Sequence, residues 1–209
     1  MNYQPLKYIY QSSAIPDAYT LLLLHGTGGD ENDLLPLAKH FGNNFNVLSL
    51  RGNVSEAGMP RFFKRLGMGV FDEQDLKFRT EEMVAFITQL AEQENFDIKK
   101  IVALGYSNGA NIAGSALLTH PDFLAGAILY RPMQPFKVVD KNIKNTNNVP
   151  VFMSNGKSDP TINPADTAKL VTSLTNAGYN LSNHLLPVGH QLVQQDIQLS
   201  VEWYKKNFK

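Results

Sequence analysis

Short apolar runs alternate with longer stretches of helical periodicity along this chain. That is the pattern of a parallel sheet with crossover helices. Residues 19–24 are almost continuously apolar, as a strand covered on both faces requires. Further strands are expected at 46–50, 100–104, 127–130, 149–154 and 180–186. Helical spacing of Leu76, Met83, Phe86, Ile87 and Leu90 predicts a helix over about 75–94. A helix rich in small residues follows at 108–119. Another is expected at 164–176, with Pro164 in its first turn and Gly178 just past its end. Leu192, Ile197, Leu199, Val201 and Trp203 mark a final helix. Asn32 or Asp33 is expected to cap a helix running to about residue 41. The segment 51–72 mixes Gly, Pro and aromatics without periodicity and reads as a long, functional loop.

The sum is an α/β chain, one domain over 1–209, with a mostly parallel sheet, helices on both faces and no large lid. Hydrophobic residues make up 43% and charged residues 18% of the 209, enough to bury a core. The 19 basic and 19 acidic residues cancel, which argues against a nucleic-acid or anionic-membrane surface. No cysteine is present, so disulfides, thiolate metal sites and Cys nucleophiles are excluded. The first eleven residues lack a basic start followed by an apolar run, and the longest strongly apolar run is Leu21 to Leu24. A cytoplasmic location and no membrane span are therefore expected, and no metal site is expected.

The chemistry lies in Gly105-Tyr106-Ser107-Asn108-Gly109, between a strand and a helix. A Gly-x-Ser-x-Gly turn in that context reverses the chain sharply and presents the serine at a helix N-terminus. A serine hydroxyl needs a base, and the base needs an acid, in the chain order Ser, Asp, His. His120 stands at the far end of the following helix, roughly 20 Å away. His184 lies within a strand. His190 follows the last strand at its carboxyl end, where open α/β sheets collect their active groups. Asp159 follows the 149–154 strand in a Gly-containing turn and is the expected acid, whereas Asp166 falls inside a helix. The oxyanion formed on attack needs two donors. The Asn108 N–H is one. The Thr27 N–H, in the loop His25-Gly26-Thr27-Gly28-Gly29, is the other. That loop lacks the Lys-Ser/Thr ending of a phosphate cradle, and His25 is expected to brace it. Met59, Phe62, Phe63 and Phe71 are expected to wall the substrate pocket. Arg51, Arg61 and Arg65 are candidates for an anionic group or for solvated surface charge.

The segments 25–31 and 105–111, together with Asp159 and His190, resemble the small bacterial carboxylesterase branch of the α/β-hydrolases. That branch is related to the phospholipase/carboxylesterase and acyl-protein thioesterase group. Arg51-Gly52-Asn53 through Met59-Pro60-Arg61-Phe62-Phe63 is similar to hydrolases linked to quinone and hydroquinone resistance in Gram-positive bacteria. The resemblance implies a sheet of eight strands or slightly fewer, no cofactor, often a homodimer, and a small-molecule ester as substrate. Thioesterases of the group carry Gln after the nucleophile and Leu in the oxyanion loop, where this chain has Asn108 and Thr27. Ester hydrolysis through an acyl-enzyme on Ser107 is the expected activity. Acyl-thioester or lysophospholipid hydrolysis is the alternative, and a non-catalytic binding protein a third.

Overall fold

The computed structural model describes residues 3–208. Its main sheet has seven strands: β1 (Lys7–Gln11), β2 (Thr20–Leu24), β3 (Asn46–Arg51), and, beyond four short strands given below, β8 (Ile101–Tyr106), β9 (Gly126–Tyr130), β10 (Pro150–Gly156) and β11 (Asn180–Leu186). Their order is β1-β3-β2-β8-β9-β10-β11, with β1 antiparallel to β3 and every other pair parallel. This is the α/β-hydrolase fold, with the expected mostly parallel sheet.

Alternation along β2 explains its unbroken apolar run. Leu22 and Leu24 join the core on one face of the sheet, and Leu21 and Leu23 the core on the other. The first core packs against α2 (Glu73–Glu94), α3 (Asn108–Thr119) and α4 (Pro164–Asn176). The second packs against α1 (Leu35–Ala38) and α5 (Gln194–Asn207). The chain winds leftward from β2 to β3, then restarts on the other side at β8. The topological switch therefore lies between β2 and β8, where doubly wound sheets open a crevice. Register pairs Leu24 with Gly105, so the turns after β2 and β8 leave the sheet side by side.

Three expectations need correction. The 32–41 helix is shorter: α1 spans four residues and continues as a single 3₁₀ turn over 39–41. Asn32 does not cap it; its N–H is held by the Asp30 side chain at 2.8 Å. The 51–72 loop carries two hairpins, β4 (Val54–Glu56) with β5 (Met59–Arg61), and β6 (Arg65–Gly67) with β7 (Val70–Phe71). Ala57 and Gly58 turn the first with φ of +51° and +83°, the double positive of a tight hairpin turn. These strands are two or three residues long, too short to leave a periodicity. The edge strand β1 was also without an apolar signal, because its residues are exposed or half-buried.

Candidate active site

Ser107 alone joins β8 to α3, and its backbone carries the strain of the reversal: φ is +52° and ψ −108°. Glycines make the approach possible. A Cβ on Gly109 would stand 1.9 Å from the Leu24 carbonyl oxygen, and one on Gly105 2.6 Å from the Ala110 nitrogen.

The three residues expected from sequence come together. Ser107 Oγ lies 3.0 Å from His190 Nε2, and His190 Nδ1 lies 2.6 Å from Asp159 Oδ2. Asp159 is almost fully buried. Its Oδ1 accepts from Thr161 N–H at 2.9 Å and from the Thr161 hydroxyl at 2.7 Å. Burial pushes the Asp159 carboxyl up, but the hydrogen bonds from Thr161 and His190 outweigh it and hold the group below the usual carboxylate range. Thr161 also stands 2.8 Å from His190 Nδ1. Its position two residues past the acid carried no motif.

The loop bearing His190 is held by its carbonyls. Arg131 Nε donates to Gly189 O at 3.2 Å, the Tyr106 hydroxyl to His190 O at 3.2 Å, and Arg131 Nη2 to Gln191 O at 2.9 Å. Arg131 follows β9 with φ of +57° and is 0% exposed. Its charge is met by Asp196, also 0% exposed, through bonds of 2.9 and 2.7 Å. Asp196 additionally accepts from the Ser154 hydroxyl and from Val193 N–H at 2.9 Å. Burial would raise this carboxyl; the bonds from Arg131 and Ser154 hold it below the ordinary range. Sequence reasoning missed this pair, since Arg131 and Asp196 are 65 residues apart and fit no motif.

Thr27 and Asn108 line the same cleft as Ser107, and their N–H groups have no protein acceptor among the described residues. Their neighbours are tied down. Gly28 N–H donates to Pro60 O at 2.9 Å, and Phe62 N–H to Asn108 Oδ1 at 2.7 Å. His25 braces the loop as expected: Nδ1 stands 2.6 Å from Gly26 O, and Nε2 accepts from Gly52 N–H at 3.1 Å. Those roles require the neutral ring, and burial lowers its pKa accordingly.

A cleft of about 270 Å³ opens over Ser107. Phe71 lines it as expected, with Met68, Tyr106, Met133 and Ile162. Phe62 and Phe63 do not, because both are sealed in the core at 2% and 0% exposure. Phe62 lies tilted against His25 at 4.6 Å, and Phe63 supports Phe71 edge-on at 5.0 Å. Met59 sits exposed on the β4–β5 hairpin outside the cleft lining. Arg61 and Arg65 line the cleft, whereas Arg51 pairs with Asp30 at 2.9 Å and with Glu31 away from it. His120 pairs with Glu81 at 3.2 Å, and His184 stacks on Phe152 at 4.9 Å, so neither approaches Ser107. A larger depression of about 710 Å³ between the 137–144 segment and α4 holds lysines and aliphatic surface but no nucleophile beside a base. Among the described residues no cluster of three His, Asp or Glu is placed to hold a metal, and no helix is long and apolar enough to cross a membrane.

Fold and site together define a hydrolase of the α/β type. The chain belongs to the Phospholipase/Carboxylesterase family, whose model matches residues 8–207. It is 43% identical over 201 residues to the hydrolase MhqD of Bacillus subtilis (strain 168), covering 96% of this chain and 98% of that protein. The Bacillus cereus carboxylesterase superposes with a TM-score of 0.93 at 45% identity, over 97% of this chain and 95% of that one. Acyl-protein thioesterase 1 of Cryptococcus neoformans is 26% identical over 176 residues, or 75% of this chain and 73% of that protein.

Proposed function

We propose that the chain is a serine carboxylesterase that cleaves esters with small or medium acyl or aryl groups through an acyl-enzyme on Ser107. One observation carries this reading: the unbroken hydrogen-bonded series Asp159–His190–Ser107 opens onto a cleft beside two unengaged backbone N–H groups. Ser107 Oγ attacks the ester carbonyl carbon while His190 Nε2 takes its proton. Asp159 fixes the ring with Nδ1–H directed away from Ser107 and stabilises the imidazolium. The carbonyl oxygen becomes an oxyanion, and the Thr27 and Asn108 N–H groups receive it. The intermediate collapses, the carbon–alkoxy bond breaks, and His190 returns the proton to the leaving alcohol. Water then enters, gives a proton to His190 and attacks the acyl carbon. Collapse releases the acid and restores the proton to Ser107. A cleft of about 270 Å³ favours small substrates over long acyl chains.

A fluorophosphonate probe should label Ser107, as located by peptide mapping. Ser107→Ala should abolish labelling and lower turnover of 4-nitrophenyl butyrate by about 10⁶-fold, the loss measured for nucleophile removal in another serine hydrolase. Labelling elsewhere, or hydrolysis by the variant near the native rate, overturns the proposal. The similarity to a thioesterase supports a second reading. A faster rate on butyryl thioesters than on the matched oxygen ester would favour it.

A further inference from the structure

Two of the residues lining the cleft, Arg61 and Arg65, share one anion, Glu56. Arg61 Nε lies 3.3 Å from Glu56 Oε2, and Arg65 Nε lies 2.9 Å from Glu56 Oε1. A single carboxylate therefore bridges two guanidinium groups, and the trio keeps one net positive charge. The other contacts of both arginines are neutral. Arg61 Nε donates to Phe63 O at 3.1 Å and Nη1 to Thr27 Oγ1 at 2.5 Å, while Arg65 Nη1 meets the Met68 sulfur at 3.5 Å. Neither Nη2 group has a protein acceptor among the described residues. The Arg61 side chain is 4% exposed, so water screens its charge poorly. Burial, and after it the adjacent Arg65 charge, both work against the protonated form of Arg61. Asp196 is matched by Arg131, and Asp159, bonded to His190 and Thr161, touches neither arginine. Arg61 ties Phe63 to Thr27, and among the described residues Arg65 bonds Glu56 and Met68 through Nε and Nη1 alone.

From this arrangement we infer that the cleft takes esters bearing a carboxylate, seated between Arg61 and Arg65 while the ester carbonyl lies over Ser107. The inference rests on the esterase reading and narrows its substrate class. A planar carboxylate can accept from both free Nη2 groups and matches the one positive charge that this trio keeps. Because Arg61 also holds Thr27, the same side chain links the anion seat to one oxyanion donor.

Matched substrates test this on the full chain. In the acyl arm, kcat/KM for methyl hydrogen adipate is compared with that for its carboxamide analogue. In the alcohol arm, 4-carboxyphenyl acetate is compared with 4-carbamoylphenyl acetate. The anionic member should be preferred by about tenfold in one arm, the low end for a hydrogen bond to a charged group. Arg65→Gln should bring that ratio close to one, and Glu56→Gln should raise it, because it removes the competing carboxylate. Ratios cancel any difference in folded fraction between variants. A ratio of one or less in both arms, a preference that survives Arg65→Gln, or a fall with Glu56→Gln overturns the inference. If the neutral esters are still turned over in that case, the esterase reading stands without it. If no ester is turned over, both fall.

Discussion

Replacing Asp196 by Asn keeps the side-chain shape and removes its charge. Arg131 then remains fully buried with no anion, although it still donates to the carbonyls of Ser154, Gly189 and Gln191. Breaking a buried ion pair by removing one partner costs about 3–5 kcal/mol. For a domain of this size each kcal/mol is worth about 2–4 °C in Tm, so thermal unfolding should occur roughly 6–20 °C lower. Arg131 also fixes the carbonyls on either side of His190, so turnover of the folded fraction should fall too. A misplacement of about 1 Å can cost on the order of 10²-fold. The double variant Arg131→Met with Asp196→Leu separates the two effects. Apolar replacement of both partners should recover part of the lost Tm, the remainder being held back by the polar groups of Ser154, Gly189, Gln191 and Val193 that lose a partner. It should leave turnover low, since nothing then grips Gly189 O and Gln191 O. Calorimetry and active-site titration with a fluorophosphonate read the two quantities independently. A Tm for Asp196→Asn within about 2 °C of the native value refutes the reasoning on stability. Native turnover by the double variant refutes the positioning role of Arg131.

Asp159 and Asp196 both titrate below the ordinary range in the folded state, so their stabilisation is fully present above about pH 4 and is lost as pH falls through the depressed folded values. Acid unfolding followed by circular dichroism should show that loss, and Asp196→Asn should flatten it; an unchanged acid limb in the variant would contradict the assignment. Asp159→Asn should lower kcat by about 10⁴-fold, as the equivalent change does in a serine protease, with the fold intact by near-ultraviolet circular dichroism. Gly109→Ala places a methyl group 1.9 Å from the Leu24 carbonyl, so the variant should lose more stability than the roughly 1–3 kcal/mol of ordinary overpacking, measured by urea denaturation.

The sheet was legible because β2, β8, β9 and β10 are buried on both faces and so spell continuous apolar runs. Ser107, Asp159 and His190 were legible because each comes within four residues of a strand's carboxyl end, and sheet registers bring those ends to one edge. What escaped shares a different property. Arg131, Asp196 and Thr161 act through side-chain bonds to residues that only the tertiary fold brings near. The walls of the cleft were half legible for a related reason. In 59–63 the sequence shows four residues suited to lining a pocket, but alternation along the strand and its exit sends Arg61 to the cleft and Phe62 against the His25 ring. A two-residue periodicity in so short a stretch does not declare which face is which.

The segment 60–62 acts as a strap. Its first carbonyl takes the N–H next to Thr27, and its last N–H grips the side chain of Asn108. The two halves of the proposed oxyanion site follow different strands, and the same three residues bind them together from outside the sheet. Variation in substrate preference is therefore not free to spread evenly over this region. The hairpin tip at 57–58 and the whole of β6–β7 can be exchanged with little mechanical consequence for the reacting atoms. A single insertion between 60 and 62 would instead shift one grip relative to the other and splay the donors. Anyone grafting a new binding loop onto this scaffold should cut on either side of the strap and leave its length alone.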